Sequence, residues 1–193
     1  MSRQPARVLE PNDVRRLIVQ SRNTRHPERN AVIVLLSFKA GLRACEISGL
    51  AWPMSLNPSG RLAEHVTISR HIAKYGGGRR VPLHPDLAGA LRRYHAVSGR
   101  PEDGPLIRSE RGGHMTPRSI VNWFHEIYGT LGLYGCSSHS DRRTFITRSA
   151  RIIGKTGGSL RDVQELAGHR ALTTTERYIE GDRDTQRKLI RLI

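Results

Sequence analysis

Residues 166–178 read Leu-Ala-Gly-His-Arg-Ala-Leu-Thr-Thr-Thr-Glu-Arg-Tyr, which places a Gly-His pair ahead of a tyrosine. Nine positions separate His169 from Tyr178. Apolar residues at helical spacing predict one short helix over 160–166 and another over 173–179. The stretch therefore sets a histidine and a tyrosine near two expected helices, and it is the most specific stretch of the chain.

Three further stretches upstream contain residues that suit phosphate chemistry. Gly41-Leu42-Arg43-Ala44-Cys45-Glu46 places an acid one helical turn after an arginine, where it can orient the guanidinium. Lys74 precedes a tyrosine and three glycines, so a hairpin tip would present its ammonium to a bound ligand. His139-Ser140-Asp141-Arg142 sets a histidine and an arginine three apart, and on a helix both would face one phosphate.

These residue types are the ones that phosphoryl transfer requires. Cations must face the non-bridging oxygens, a nucleophile must attack in line, and an acid must protonate the leaving oxygen. The planar guanidinium of arginine binds two phosphate oxygens at once. A tyrosine phenol can be the nucleophile when a base or strong cations lie nearby.

The periodicity of the whole chain predicts a mainly α fold with one small antiparallel β-hairpin. Strands are expected over 65–70 and 79–83, joined by a flexible glycine turn at 75–78. Loops are expected over 21–30 and 98–113. The other expected helices span 11–19, 31–40, 42–50, a segment starting at 85, 120–131 and 145–153, and an amphipathic tail is expected over 183–193.

The composition excludes several classes of protein. Of the 193 residues, 32 are Lys or Arg and 17 are Asp or Glu, so the net charge of +15 calls for a polyanionic partner such as nucleic acid. With two cysteines, Cys45 and Cys136, the chain has no disulfide framework or cysteine-rich zinc module. No apolar run is long enough to span a bilayer, so a cytoplasmic protein without a membrane partner is expected.

Taken together, the motifs resemble the catalytic domain of the tyrosine recombinases, the phage integrase family. The family order is Arg, hairpin Lys, His-x-x-Arg, Gly-His and Tyr. Each residue alone has an ordinary structural explanation, but the ordered set favours function. The resemblance covers about residues 8–182, implies the family's α+β catalytic-domain fold, and rests on Arg43, Lys74, His139, Arg142, His169 and Tyr178.

The resemblance implies a site-specific recombinase or integrase that needs neither metal, cofactor nor ATP. Tyr178 would attack a DNA phosphate to form a 3′-phosphotyrosine, and a 5′-hydroxyl of a partner strand would then reseal the DNA. Arg43 and Arg142 would hold the transition state, and His169 would donate a hydrogen bond to it. Lys74 would protonate the leaving oxygen and His139 would act as base. Glu46 would support Arg43 from behind.

The resemblance also implies partners and an organisation. Double-stranded DNA, a homotetramer on two DNA sites and an accessory DNA-bending protein are expected. We expect residues 1–193 to form one catalytic domain without the N-terminal core-binding domain of most relatives, either as a fragment of a longer protein or as a small single-domain recombinase. The tail at 183–193 would dock either into a neighbouring subunit or onto the chain's own core.

Two positions depart from the family pattern, and two other functions are compatible with the motifs. Family members commonly carry Leu before the second Arg and His after it, where this chain has Asp141 and Arg143. The expected partner of Asp141 is Arg143 or another arginine, and a pair with Arg142 instead would impair activity. The alternatives are an inactive DNA-binding protein of the same descent and a type IB topoisomerase-like enzyme that relaxes DNA as a monomer.

Overall fold

The computed structural model describes residues 6–178 and 190–191 of the chain. Within these ranges the fold is mainly helical, with one two-stranded antiparallel sheet. In chain order the elements are α1 (Pro11–Arg22), α2 (Pro27–Ala40), α3 (Ala44–Gly49), β1 (His65–Ile68), β2 (Arg79–Pro82), α4 (Pro85–Val97), α5 (Pro117–Thr130), α6 (Ser138–Ile152), α7 (Leu160–Ala167) and α8 (Leu172–Glu176).

The central helix is α2, which is buried on nearly every side. Its residues 30–38 are all buried, because α1, α4 and α6 pack around it. A helix enclosed in this way needs an almost continuous apolar sequence rather than a single stripe, and residues 31–36 supply one. This helix forms the middle of the main apolar core.

Prolines and glycines mark the ends of the helices. Helices α1, α2, α4 and α5 each begin at a proline, whose fixed φ suits the first helical position. Helices α2 and α7 end at Gly41 and Gly168, which adopt left-handed φ values of 63° and 61°. These two glycines stand directly before Leu42-Arg43 and His169, so each helix end aims the chain toward a candidate site residue.

The hairpin pairs β1 with β2 in an alternating register. Val66 lies opposite Val81, and both side chains are buried against the main core. Thr67 lies opposite Arg80, and both are exposed. The alternation of buried and exposed positions is the period of two that a half-buried strand requires.

The expected fold class is confirmed, whereas several expected boundaries are wrong. The expected loop over 21–30 ends early because Pro27 starts α2, and α6 starts at Ser138 rather than 145. The turn after β1 contains a 3₁₀ segment, Lys74–Gly76, instead of a wholly flexible loop. The expected helix over 173–179 is α8, which ends at Glu176.

The C-terminal tail expected over 183–193 lies outside the described residues except for 190 and 191. Among the helices of the described ranges, none combines the length and the apolar character that crossing a membrane would require.

Candidate active site

Glu46 lies at the centre of the candidate site, with no exposed surface. Its Oε1 accepts hydrogen bonds from Nη1 of Arg43 at 3.1 Å and from Nη1 of Arg79 at 2.8 Å. Its Oε2 accepts from the backbone N–H of Arg43 at 2.9 Å and from Nη2 of Arg79 at 3.0 Å. The carboxylate therefore receives four N–H donors, and two arginines share one buried negative charge.

The pKa of Glu46 reflects this arrangement. Burial by itself would raise the pKa of the carboxyl, but the hydrogen bonds and charge of Arg79, together with those of Arg43, outweigh burial and lower the pKa. Glu46 is thus ionised in the folded protein at neutral pH. It binds the backbone and the side chain of Arg43, as the spacing of the two residues predicts.

Arg142 is the most buried cation of the six candidate residues, with 4% of its surface exposed. Its guanidinium donates hydrogen bonds to the carbonyl oxygens of Gly41 and Ala167. Those two carbonyls lie at the C-terminal ends of α2 and α7, where the helix dipoles favour a positive charge. Arg142 therefore joins the three helices α2, α6 and α7.

Burial lowers the pKa of Arg142 to about 9, and the positive charges of Arg43 and Arg79 lower it further, while Glu46 opposes them. Three guanidiniums thus surround a single carboxylate, and we call Arg43, Arg79 and Arg142 the arginine cluster. A phosphate that binds beside this cluster would stabilise charges that the protein alone leaves unbalanced.

His169 follows Gly168 and is buried, with 8% of its surface exposed. Its Nδ1 lies 3.0 Å from Oγ1 of Thr175, and its carbonyl accepts a hydrogen bond from Nε2 of Gln164 at 3.0 Å. Burial lowers the pKa of the imidazole to about 4, and the charges of Arg142, Arg43 and Arg79 contribute. The ring is therefore neutral at physiological pH, and its Thr175 contact fixes its orientation.

Tyr178 lies against His169 and α6. The two rings are stacked, with centroids 5.6 Å apart and planes 20° from parallel. The guanidinium carbon of Arg143 lies 5.6 Å from the centroid of the tyrosine ring, and Oγ1 of Thr147 donates to the carbonyl oxygen of Tyr178 at 3.2 Å. The phenol is close enough to Arg142 to affect the pKa of that guanidinium.

The tyrosine packs on a small cluster of apolar side chains that is separate from the main core. The cluster consists of Ile146, Val163 and Ala167, and we call it the small apolar cluster. Tyr178 itself is partly buried against it. Helices α6 and α7 thus support the tyrosine, and they also carry Arg142 and one of the two carbonyls that it binds.

Lys74 and His139 are the exposed members of the predicted set. Lys74 lines a cleft of about 980 Å³ together with Arg79 and His169, so the hairpin forms one wall of the cleft and α7 the other. His139 is the second residue of α6, one turn before Arg142. The structure therefore groups Arg43, Arg142, His169 and Tyr178, and places Lys74 on the rim of the adjoining cleft.

Asp141 does not make the expected pair with an arginine. Its side chain is fully buried, and neither carboxyl oxygen has a hydrogen-bond partner within the described part of the chain. Burial raises the pKa of the carboxyl well above its ordinary value, and the nearby hydroxyl of Ser37 on α2 opposes this only in part. Asp141 therefore faces α2 rather than the arginine cluster.

Arg79 is the site residue that sequence reasoning missed. Its side chain is 8% exposed, and its guanidinium contacts Glu46 through both terminal nitrogens. A pattern in the sequence could have revealed it, because residues two apart in a strand share a face. Val81 is an apolar residue of the inner face, so Arg79 belongs to that face and Arg80 to the outer one.

In the described ranges, no group of three or more His, Cys, Asp or Glu side chains is arranged to hold a metal ion. Four cationic side chains and two acidic ones line the cleft, and this excess of positive charge suits an anionic ligand.

A helical domain with one hairpin, an arginine cluster and an adjacent tyrosine has the architecture of a tyrosine recombinase catalytic domain, and solved structures share its fold. The XerA recombinase has a TM-score of 0.76 at 20% identity, over 100% of this chain and 66% of that one. An integrase of the transposon Tn1549, in complex with transposon right end DNA, has a TM-score of 0.76 at 16% identity, over 100% and 67%.

Sequence comparison identifies the family. The model of the phage integrase family matches residues 7–184, and the chain belongs to that family. Tyrosine recombinase XerC of Brucella suis biovar 1 (strain 1330) is 33% identical over 199 residues, which cover 97% of this chain and 59% of the relative. XerC of Mesorhizobium japonicum is 33% identical over 153 residues, covering 78% and 46%. The chain thus spans about half the length of these curated relatives.

Proposed function

We propose that the chain is the catalytic part of a site-specific DNA recombinase that cuts and rejoins duplex DNA through a 3′-phosphotyrosine at Tyr178. The observation that carries the proposal is the position of Tyr178, whose ring is stacked on His169 and whose phenol influences Arg142. A nucleophile beside a cluster of buried cations is the arrangement that phosphodiester cleavage needs.

The proposed reaction exchanges one phosphodiester for another. The phenol oxygen of Tyr178 attacks the phosphorus, and the bond from phosphorus to the 5′-oxygen breaks. His139 accepts the phenol proton, and Lys74 gives a proton to the leaving 5′-oxygen. In the second half, a 5′-hydroxyl of a partner strand attacks the phosphotyrosine and releases the phenol, so the reaction needs no external energy source.

The buried residues have charge-stabilising roles in this proposal. Arg43 and Arg142 bind the non-bridging oxygens, where negative charge accumulates in the transition state. His169 is neutral at physiological pH, so it donates a hydrogen bond to the phosphate without adding a further charge. Glu46 keeps Arg43 in place through the two hydrogen bonds between them.

The proposal extends to assembly and setting. We propose that two DNA duplexes are joined by a homotetramer, with an accessory DNA-bending protein, and that the protein acts in the cytoplasm. The net charge of +15 favours binding to the DNA backbone. Two proteins of similar fold, the Tn1549 integrase and a lambda integrase dimer, have been solved in complex with DNA. We also propose that residues 1–193 form one catalytic domain.

The experiment is covalent trapping on nicked DNA. A pool of duplexes with randomised core sequences, each nicked so that the released strand end diffuses away, is incubated with the protein and resolved on a denaturing gel. The DNA that stays attached to protein is then sequenced. We expect a covalent adduct that Tyr178→Phe abolishes. The matched control, Tyr134→Phe, alters a tyrosine that is 81% exposed and should retain the adduct.

Other outcomes of this experiment would favour the alternatives. Salt-dependent DNA binding without any adduct, unchanged by Tyr178→Phe, would contradict the proposal and indicate a DNA-binding protein that does not cut. Relaxation of supercoiled plasmid without a sequence requirement would indicate a topoisomerase-like enzyme instead.

A further inference from the structure

Arg79 makes three hydrogen bonds that connect distant parts of the chain. Its Nη1 and Nη2 donate to the two oxygens of Glu46, which lies 33 residues earlier on α3. Its Nε donates to the carbonyl oxygen of Leu166, which lies 87 residues later on α7, at 2.9 Å. One guanidinium on β2 therefore joins the hairpin to α3 and to the end of α7.

Each partner of Arg79 is adjacent to a candidate catalytic residue. Glu46 binds both the side chain and the backbone of Arg43. Leu166 lies three residues before His169, and Lys74 lies five residues before Arg79 on the same hairpin. The side chain of Arg79 therefore stands where the supports of Arg43, Lys74 and His169 meet.

The glycine of the Gly-His pair is fitted to this side chain. A Cβ atom at position 168 would lie 2.7 Å from Nη1 of Arg79, which is closer than a side chain tolerates. The left-handed φ of 61° at Gly168 independently favours glycine there. The guanidinium thus packs directly against the turn that leads into His169.

We propose that Arg79 is a positioning residue that holds the hairpin, Arg43 and the His169 turn in one fixed arrangement for catalysis. The buried bidentate pair with Glu46 gives a geometry that a single ammonium group cannot reproduce. The inference rests on the proposed function, because the roles of Arg43, Lys74 and His169 belong to it. Arg79 itself acts through these neighbours and not as a catalytic residue.

The charge of Arg79 gives the proposal an independent readout. His169 is surrounded by Arg142 on α6, by Arg43 and Glu46 at α3, and by Arg79 on β2, and the three positive charges all lower its pKa. If Arg79 is held beside His169, the loss of its charge must raise the pKa of that imidazole. A change that merely loosens the hairpin surface would leave this pKa unchanged.

The test compares Arg79→Gln, Arg79→Lys and Arg80→Gln. Arg80 is the matched control, since it is the next residue of β2 but is exposed and contacts His65 instead of Glu46. Cleavage of the nicked DNA is measured under single-turnover conditions at saturating protein. The pKa of His169 is measured by NMR titration of the imidazole nitrogens, with the signal assigned from His169→Gln. Circular dichroism checks that each variant is folded.

We expect Arg79→Gln to slow cleavage by about 100-fold, as a misplaced catalytic group does, and to raise the pKa of His169 because one of the charges that lower it is removed. Arg79→Lys keeps the charge but loses the bidentate contact with Glu46, so it should slow cleavage about 10-fold. It should change the pKa of His169 less than Arg79→Gln does. Arg80→Gln should change neither. If Arg79→Gln does not fold, Arg79→Lys alone decides the question.

A folded Arg79 variant that cleaves like Arg80→Gln and titrates like the wild-type protein would overturn the proposal. Failure of the wild-type protein to cleave any nicked duplex would instead contradict the proposed function. In that case the titration of His169 still tests the position of Arg79, because it requires no DNA.

Discussion

The arginine cluster and the packing site of Tyr178 are held together by different kinds of contact, although α6 and α7 contribute to both. Arg79 and Arg142 are nearly buried and bound to Glu46 or to helix-end carbonyls. Tyr178 is half-buried and rests on three small or medium apolar side chains and a stacked histidine. The cations are thus held by many directed bonds, whereas the tyrosine is held by a few weak contacts.

This difference suits the proposed reaction. Electrostatic stabilisation works best when its groups are fixed before the substrate arrives, since no free energy is then spent on reorienting them. A nucleophile that becomes covalently joined to DNA must accommodate the movement of the strand it carries. The contrast therefore predicts a preformed phosphate site and a more easily displaced tyrosine.

The largest expected effect follows from breaking the centre of the arginine cluster. Glu46→Gln leaves Arg79 and Arg43 without their carboxylate, and removing one partner of a buried pair costs about 3–5 kcal/mol of the free energy of unfolding. Urea denaturation at pH 7 measures this loss. The pKa of Glu46 is lowered in the folded state, so the ionised carboxylate stabilises the wild-type protein less as the pH falls below about 4. The difference in the free energy of unfolding between the wild-type protein and Glu46→Gln should therefore become smaller at low pH.

The control is Glu165→Gln, which alters an exposed glutamate and should leave the urea midpoint unchanged. A urea midpoint for Glu46→Gln equal to that of the wild-type protein would contradict the prediction.

The next effect is a gain in stability at Asp141, whose buried carboxyl oxygens have no hydrogen-bond partner within the described residues. Asp141→Leu removes a buried carboxyl and should raise the free energy of unfolding by about 1–3 kcal/mol at pH 8. The pKa of Asp141 is raised in the folded state. The free energy of unfolding of the wild-type protein therefore falls as the pH rises above about 4, the pKa of an aspartate in the unfolded chain. The gain should therefore shrink as the pH is lowered toward 4.

Asp141→Asn serves as the volume-matched comparison for this prediction and should gain less, because its amide remains buried and polar. Denaturation series at several pH values measure both variants. A gain that is independent of pH would show that the carboxyl is ionised in the folded state.

A matched pair of valine-to-alanine substitutions compares the main core with the small apolar cluster under Tyr178. Val34 in the main core and Val163 in the small apolar cluster are both fully buried. Val34→Ala should lower the free energy of unfolding by about 2 kcal/mol, and Val163→Ala by about 1 kcal/mol, since the apolar cluster around Val163 is smaller than the main core. At saturating protein, Val163→Ala should nevertheless slow adduct formation more than Val34→Ala does. The reverse order of adduct rates would contradict the distinction between the two supports.

The smallest effect is expected from Arg143, whose guanidinium faces the tyrosine ring. A partly exposed cation–π contact contributes about 0.5–1 kcal/mol, so Arg143→Gln should slow adduct formation by roughly 2- to 5-fold while DNA binding stays saturated. Arg143→Lys should restore part of the rate, because it keeps the cation. The control is Arg151→Gln, which removes an exposed arginine of the same helix. Equal rates of adduct formation for Arg143→Gln and Arg151→Gln would show that the contact of Arg143 with the tyrosine ring does not affect the reaction.

The sequence was informative where a local pattern carries the structure. The spacing of Arg43 and Glu46 predicted their contact, and the alternation around Val66 and Val81 predicted the hairpin. It was uninformative where contacts join distant segments. No local pattern connects Arg79 to the carbonyl of Leu166, 87 residues away, and the position of Asp141 against Ser37 depends on how α6 packs on α2.

Native-state hydrogen exchange tests the central contrast most directly. The N–H of Ile47 donates to Arg43 at 2.9 Å beside the arginine cluster, and the N–H of Tyr178 donates to Thr175 at 3.0 Å. Hydrogen bonds of similar length allow the two amides to be compared by the stability of their surroundings. In the protein without DNA, we expect the amide of Ile47 to exchange about 100-fold more slowly than that of Tyr178, a difference of about 2.7 kcal/mol. Equal protection of the two amides would contradict this expectation.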